Sequence, residues 1–78
     1  MPTIYRSGRV MIRMFFDDHD PPHFHIVTPD EEMTVALDGL VPLQGDLRKR
    51  DYEVAMVWVR ANAEILWSKW EELNGVRH

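Results

Sequence analysis

The chain has 78 residues, carries a formal net charge of −4 and contains no cysteine. This length suits one small domain, 1–78, and the missing thiols exclude disulfides, thiolate metal sites and a cysteine nucleophile. No apolar signal segment follows the N-terminus, and the longest apolar run, residues 54–59, is far too short to span a membrane. We therefore expect a cytoplasmic protein that does not enter a membrane.

The first half of the chain has the pattern of antiparallel strands. Residues 4–6 suggest a short edge strand, and the alternating apolar side chains of residues 9–16 are typical of a half-buried strand. Residues 23–27 and 33–38 continue the pattern after proline-containing turns. A short fourth strand at 40–41 is an alternative within the following loop.

The C-terminal part of the chain has the periodicity of a helix. Residues 51–73 contain no proline or glycine, Asp46 or Asp51 is a candidate N-cap, and Asn74-Gly75 is a stop signal. We predict an α+β fold in which a three- to four-stranded antiparallel sheet carries one long C-terminal helix on one face. The apolar arc of this helix is wider than one sheet face requires, so we also expect a homodimer through residues 51–73.

Acidic residues, histidines and two prolines are concentrated in one segment before the third strand. Pro21 and Pro22 stiffen this connection because each proline restricts the residue before it. Since strand residues two apart point the same way, His23 and His25 are expected to leave the same face of the sheet. The predicted binding surface consists of Asp17, Asp18, His19, Asp20, His23 and His25.

The same segment has the composition of a metal site. Two or three imidazoles with a carboxylate suit Zn²⁺, Mn²⁺ or Fe²⁺, which makes His19, His23 and His25 candidate ligands. Two alternatives stay open. In the first, His23 and His25 hydrogen-bond to Asp17 or Asp18 across the hairpin and have only a structural role. In the second, an Asp–His pair acts as a metal-free general base.

The charge distribution argues against a nucleic-acid partner. Non-specific binding to nucleic acid needs a basic face, whereas this chain is net acidic. Its one basic cluster is Arg48-Lys49-Arg50. We interpret it as a solvated first turn of the helix, with phosphate contact as the alternative.

One family shares this arrangement of residues. The chain resembles a small bacterial domain of unknown function (the 4160 type) in Gly8, Ile12-Arg13-Met14 and Asp17-Asp18-His19-Asp20-Pro21-Pro22-His23-Phe24-His25, and in the later tryptophans Trp58 and Trp70. Members are often encoded next to another small domain, in pairs that look like toxin–antitoxin or regulatory cassettes. The resemblance implies an interaction module with a protein partner encoded nearby, and the family name itself supplies no activity.

We therefore predict a small cytoplasmic interaction or regulatory module, one half of a toxin–antitoxin-like pair, whose working surface is residues 17–25. The alternative is a metal-dependent hydrolase or nuclease in which His23 and His25 bind the metal. A metal there would lower the pKa of a bound water, and an aspartate would act as the base.

Overall fold

The structure, a computed structural model, describes residues 3–15 and 21–75. Its elements are β1 (Thr3–Ser7), β2 (Val10–Arg13), β3 (His23–Val27), β4 (Glu32–Ala36), β5 (Pro42–Gly45), α1 (Lys49–Ala61) and α2 (Ala63–Asn74). The strands form one antiparallel sheet in the order β1-β2-β3-β4-β5, with β3 at its centre. The α+β class is thus confirmed. No helix in the described part of the chain is long and apolar enough to cross a membrane.

The sheet has five strands, not three or four. The additional strand, β5, begins just after the alternative position at 40–41. Leu40 and Gly39 both have positive φ, 52° and 77°, and they turn the chain so that Ala36 N–H donates to the Val41 carbonyl at 2.8 Å. A proline such as Pro42 normally predicts the end of a strand. An edge strand tolerates it, because the N–H that proline lacks would face solvent there.

The prediction of one long helix is wrong, because Asn62 divides it. Asn62 has φ −129° and ψ 28°, outside the helical range. Its side-chain Nδ2 donates to the Trp58 carbonyl at 2.9 Å, the acceptor that an unbroken helix would pair with the backbone N–H of residue 62. That N–H donates instead to the Val59 carbonyl at 3.1 Å. The chain then restarts as α2.

Ion pairs hold the start of α1, and neither predicted aspartate caps it. The N-cap residue is Arg48, which has no side-chain cap bond; its backbone N–H donates to the Glu31 carboxylate at 2.9 Å. Asp51 is buried in the first turn, 3.6 Å from Nε of Arg9. Arg9 also donates to Asp30 at 2.7 Å, and this hydrogen bond raises the pKa of Arg9. The cluster joins two strand turns to the helix.

The inner face of the sheet and the helices enclose one core. Alternating positions along the strands and just after them, as the sequence pattern predicted, join residues of both helices in this core, and every member is at most 9% exposed: Val10, Ile12, Met14, Phe24, Ile26, Met33, Val35, Leu37, Ala55, Met56, Val59, Leu66, Trp70 and Leu73. At one edge of the sheet, Trp58 of α1 stacks on Tyr5 of β1 with ring centroids 4.4 Å apart. This contact attaches the edge strand to the helix.

Gly45 allows β5 to approach β4, which yields a prediction. Its φ is +83°, and a Cβ at this position would overlap the backbone carbonyl of Glu32. We expect Gly45→Ala to lower the free energy of unfolding by more than the ~1–3 kcal/mol of a single strained residue, because the overlap with backbone adds to the strain. Urea unfolding measures the loss.

Gly8→Ala is the matched control. Gly8 also has positive φ, +58°, but no atom lies within 4 Å of the added Cβ. This variant therefore carries the conformational cost alone. Equal losses in the two variants would contradict the requirement for close approach at Gly45.

Candidate functional site

The two histidines of β3 lie side by side on the outer face of the sheet. They alternate with Phe24 and Ile26, which are fully buried in the core, so the imidazoles leave the opposite face. The ring centroids of His23 and His25 are 5.1 Å apart, with the ring planes at 75°. This is the placement that the sequence predicted. The other residues of the predicted surface lie outside the described residues: Asp17, Asp18, His19 and Asp20.

His23 is held at the end of the sheet next to α2. The residue is 3% exposed, and its ring centroid lies 5.3 Å from that of Trp70. Its Nδ1 donates to the Pro21 carbonyl at 2.7 Å. Since a carbonyl oxygen only accepts, Nδ1 carries the proton, which assigns the neutral tautomer. The next carbonyl, of Pro22, accepts the N–H of Leu37 at 3.0 Å, so both prolines are anchored to the strands.

His25 is half-buried and is bonded to β4. Its Nδ1 lies 3.1 Å from a carboxylate oxygen of Glu32 and 3.3 Å from Oγ1 of Thr34. The ring also meets Phe15 edge to face, with centroids 4.7 Å apart. A carboxylate accepts the bond, so Nδ1 is again the donor. Both imidazoles therefore turn the same nitrogen toward protein acceptors, which fixes their tautomer and orientation.

The sequence analysis missed Glu32 and Thr34 as members of the site. In the β3–β4 pair, His25 lies opposite Thr34 and Val27 lies opposite Glu32. A signal for this was available, because the four-residue connection between β3 and β4 limits the register of the hairpin. With that register, side chains 32 and 34 share the outer face with residue 25.

A row of polar side chains crosses four strands at this position. Arg13, His25, Thr34 and Gln44 are consecutive partners in the register of β2, β3, β4 and β5. A hollow of about 360 Å³ opens beside the row, between His25 and the edge strand. We name the following set the histidine face: Arg13, His23, His25, Glu32, Thr34 and Gln44.

Two arginines, one in this row and one beside it, have no acidic partner in the described part of the chain. An Nη of Arg6 and an Nη of Arg13 lie 3.1 and 3.5 Å from Sδ of Met11. Nε of Arg13 is buried and makes no hydrogen bond within the described residues. A thioether is a weak acceptor, whereas guanidinium groups bind carboxylates and phosphates strongly. This end of the face can therefore receive an anionic group.

The described residues alone do not form a metal site. Within 3–15 and 21–75, no group of three or more His, Asp or Glu side chains is placed to hold a metal ion. His23 and His25 supply two imidazoles, and His19, the third predicted ligand, lies outside these ranges. A metal centre here requires further ligands, either from residues outside the described ranges or from another molecule.

The hydrogen bonds predict the tautomer of each ring. We expect both neutral imidazoles to carry the proton on Nδ1, as measured by nitrogen–proton correlation NMR of the rings. Glu32→Leu should shift His25 toward a mixture of tautomers because its carboxylate acceptor is removed. His23 is the internal control, since its acceptor is a backbone carbonyl. A predominant Nε2–H form in the unaltered chain would contradict the assignment.

Comparison with known proteins identifies the family. The family model described as Domain of unknown function (DUF4160) matches residues 10–71, a stretch that contains the whole histidine face. No curated protein and no solved structure matches the chain. Because the matched stretch covers well over half of the sequence, the chain belongs to the family Domain of unknown function (DUF4160).

Proposed function

We propose that this chain is a small interaction or regulatory module that binds a protein partner through the histidine face and residues 17–20. The observation that carries the proposal is the polar row Arg13, His25, Thr34 and Gln44, whose members on the outer sheet face are half-buried or exposed. The family resemblance adds the expectation of a cytoplasmic, toxin–antitoxin-like pair whose partner is encoded nearby.

Rigidity of the surface supports recognition. The imidazole of His23 is fixed by Pro21 and Trp70, and that of His25 by Glu32 and Phe15. Side chains already held in one orientation lose little conformational entropy when a partner binds, so more of the contact energy appears as affinity. A surface arranged in this way suits recognition of one defined shape.

The chemistry of the partner follows from the arginines. Arg13 is half-buried and has only the Met11 sulfur as acceptor among the described residues. A partner carboxylate would give this guanidinium a charge-assisted hydrogen bond that the chain itself does not provide. We therefore propose a partner whose contact segment is acidic. Binding should weaken as salt is added, because part of the attraction is between exposed charges.

A binding experiment tests this proposal. The chain is co-expressed with the product of its neighbouring gene, and the affinity of the purified pair is measured by calorimetry. We expect Arg13→Ala to weaken binding by at least about tenfold, since a hydrogen bond to a charged group contributes about 1.5–3 kcal/mol.

The matched control is Lys69→Ala, which also removes one cation but lies on α2 and is not part of the histidine face. Its exposed pair with Glu72, at 3.4 Å, contributes little to stability, so binding should be unchanged. The proposal fails if the neighbour neither binds nor alters the stability of the chain, or if the two variants weaken binding equally.

A second candidate is a metal-dependent hydrolase or nuclease with His23 and His25 as ligands. One observation favours it: Nδ1 of each ring is engaged by a carbonyl or a carboxylate, as in histidines that bind a metal through Nε2. His19 is the proposed third ligand. A metal bound there would supply an activated water at neutral pH.

Metal analysis tests the second candidate on protein purified without a nickel column. A true site should retain about one equivalent of Zn, Mn or Fe, and added Zn²⁺ should raise the melting temperature by mass action. His25→Ala should abolish both effects. An unaltered chain with far less than one equivalent of metal and no thermal shift would exclude this candidate. That result would not bear on the proposal of an interaction module.

A further inference from the structure

The solvent side of α1 is more apolar than a helix covering one sheet requires. Val57 is 70% exposed and Val54 is 39% exposed, while the opposite side of the helix already buries Ala55, Met56 and Val59. At about 100° per residue, Val57 lies at the middle of the solvent side. Large apolar side chains in this position are typical of a helix that packs on both sides.

The exposed positions have the spacing of a helix pair. Arg50, Val54, Val57, Ala61 and Glu64 are all exposed, and they follow one another at intervals of four, three, four and three residues. The first four lie on α1, which ends at Ala61, and this alternation places them in one seam along that helix, as in the a and d positions of a coiled coil. Glu64 lies on α2, beyond the break at Asn62. We name the four residues of α1, with Glu53 and Arg60, the α1 seam.

We propose that the α1 seam pairs with the same seam of a second copy of the chain, antiparallel, about a two-fold axis at Val57. Glu53 and Arg60 lie on one flank of Val57, and Val54 and Ala61 lie on the other. A two-fold axis keeps each flank against its own counterpart. Glu53 therefore faces Arg60 of the second copy, and Val54 faces its Ala61.

The charges select the antiparallel direction. In a parallel pair the two-fold axis would run along the helices, so each flank would face the opposite flank of the second copy. Glu53 and Arg60 would then meet the apolar flank and gain no ion pair. In the antiparallel pair both contacts are attractive. Charged residues beside an apolar seam decide orientation in this way in coiled coils.

These charges are available for a partner. Within the described part of the chain, neither Glu53 nor Arg60 forms an ion pair. A hollow of about 490 Å³ runs along the same side of α1, and Glu53, Val57 and Arg60 are among its lining residues. The second copy's side chains would occupy this hollow, on a surface separate from the histidine face.

Charge reversal tests the proposal directly. The mass of the chain is measured by sedimentation equilibrium from about 5 to about 500 µM, because one helix pair is a small interface and should dissociate readily. We expect the unaltered chain to pass from one-chain to two-chain mass over this range. Glu53→Arg and Arg60→Glu should each raise the dissociation constant at least tenfold, since each makes both flank contacts repulsive.

An equimolar mixture of the two single variants is the decisive sample. Every flank contact between a Glu53→Arg chain and an Arg60→Glu chain is attractive, so the mixture should regain the two-chain mass. The control is Glu71→Arg, an exposed charge reversal on α2 outside the seam, which should leave association unchanged. Circular dichroism confirms that each variant is folded.

Each outcome decides the matter. A one-chain mass of the unaltered protein over the whole range, undiminished association of either single variant, or a mixture that stays at one-chain mass would overturn the proposal. Recovery of the two-chain mass in the mixture, when each single variant by itself stays at one-chain mass, would establish the antiparallel register.

Discussion

The register of β3 is the constraint on which the candidate site depends. This strand is bonded on both sides, to β2 and to β4, and its Phe24 and Ile26 are fully buried. A slip by one residue would turn these two outward and both histidines into the core. Burying a large apolar side chain contributes about 1.5–3 kcal/mol, whereas a typical hydrogen bond contributes about 0.5–1.5 kcal/mol. Core packing therefore decides which face the imidazoles occupy, and their hydrogen bonds then fix the orientation of the rings.

The same core separates two surfaces with different chemistry. The outer face of the sheet carries a polar row with Arg13 and His25, while the solvent side of α1 is apolar at its centre and charged along one flank. Because the sheet and the helix lie back to back on the core, occupation of one surface does not block the other. If both proposals hold, the module would bind a partner and self-associate at the same time, and two histidine faces would be present in one particle.

The sequence predicted those features that depend on local periodicity. The alternation of apolar and polar residues predicted that Val10, Ile12 and Met14 are buried in the core. It also predicted that the two imidazoles lie together on the outer face of the sheet. It did not reveal β5, since Pro42 is a strand breaker everywhere except at an edge, and the edge position is a property of the whole sheet. It did not reveal the break at Asn62 either, because the bond to the Trp58 carbonyl depends on one side-chain conformation.

In the candidate site too, some features follow from local periodicity and others from the whole fold. The strand pattern predicts that His23 and His25 share a face. Their contacts with Glu32, Thr34 and Trp70 depend instead on the register of the strands and on the path of α2.

The most direct test of the histidine face is a map of backbone amide shifts by NMR as the neighbouring gene product is added. If this face is the working surface, the largest changes will lie at Arg13, His25 and Thr34. Changes confined to α1 and α2, with β2, β3 and β4 unaffected, would contradict it.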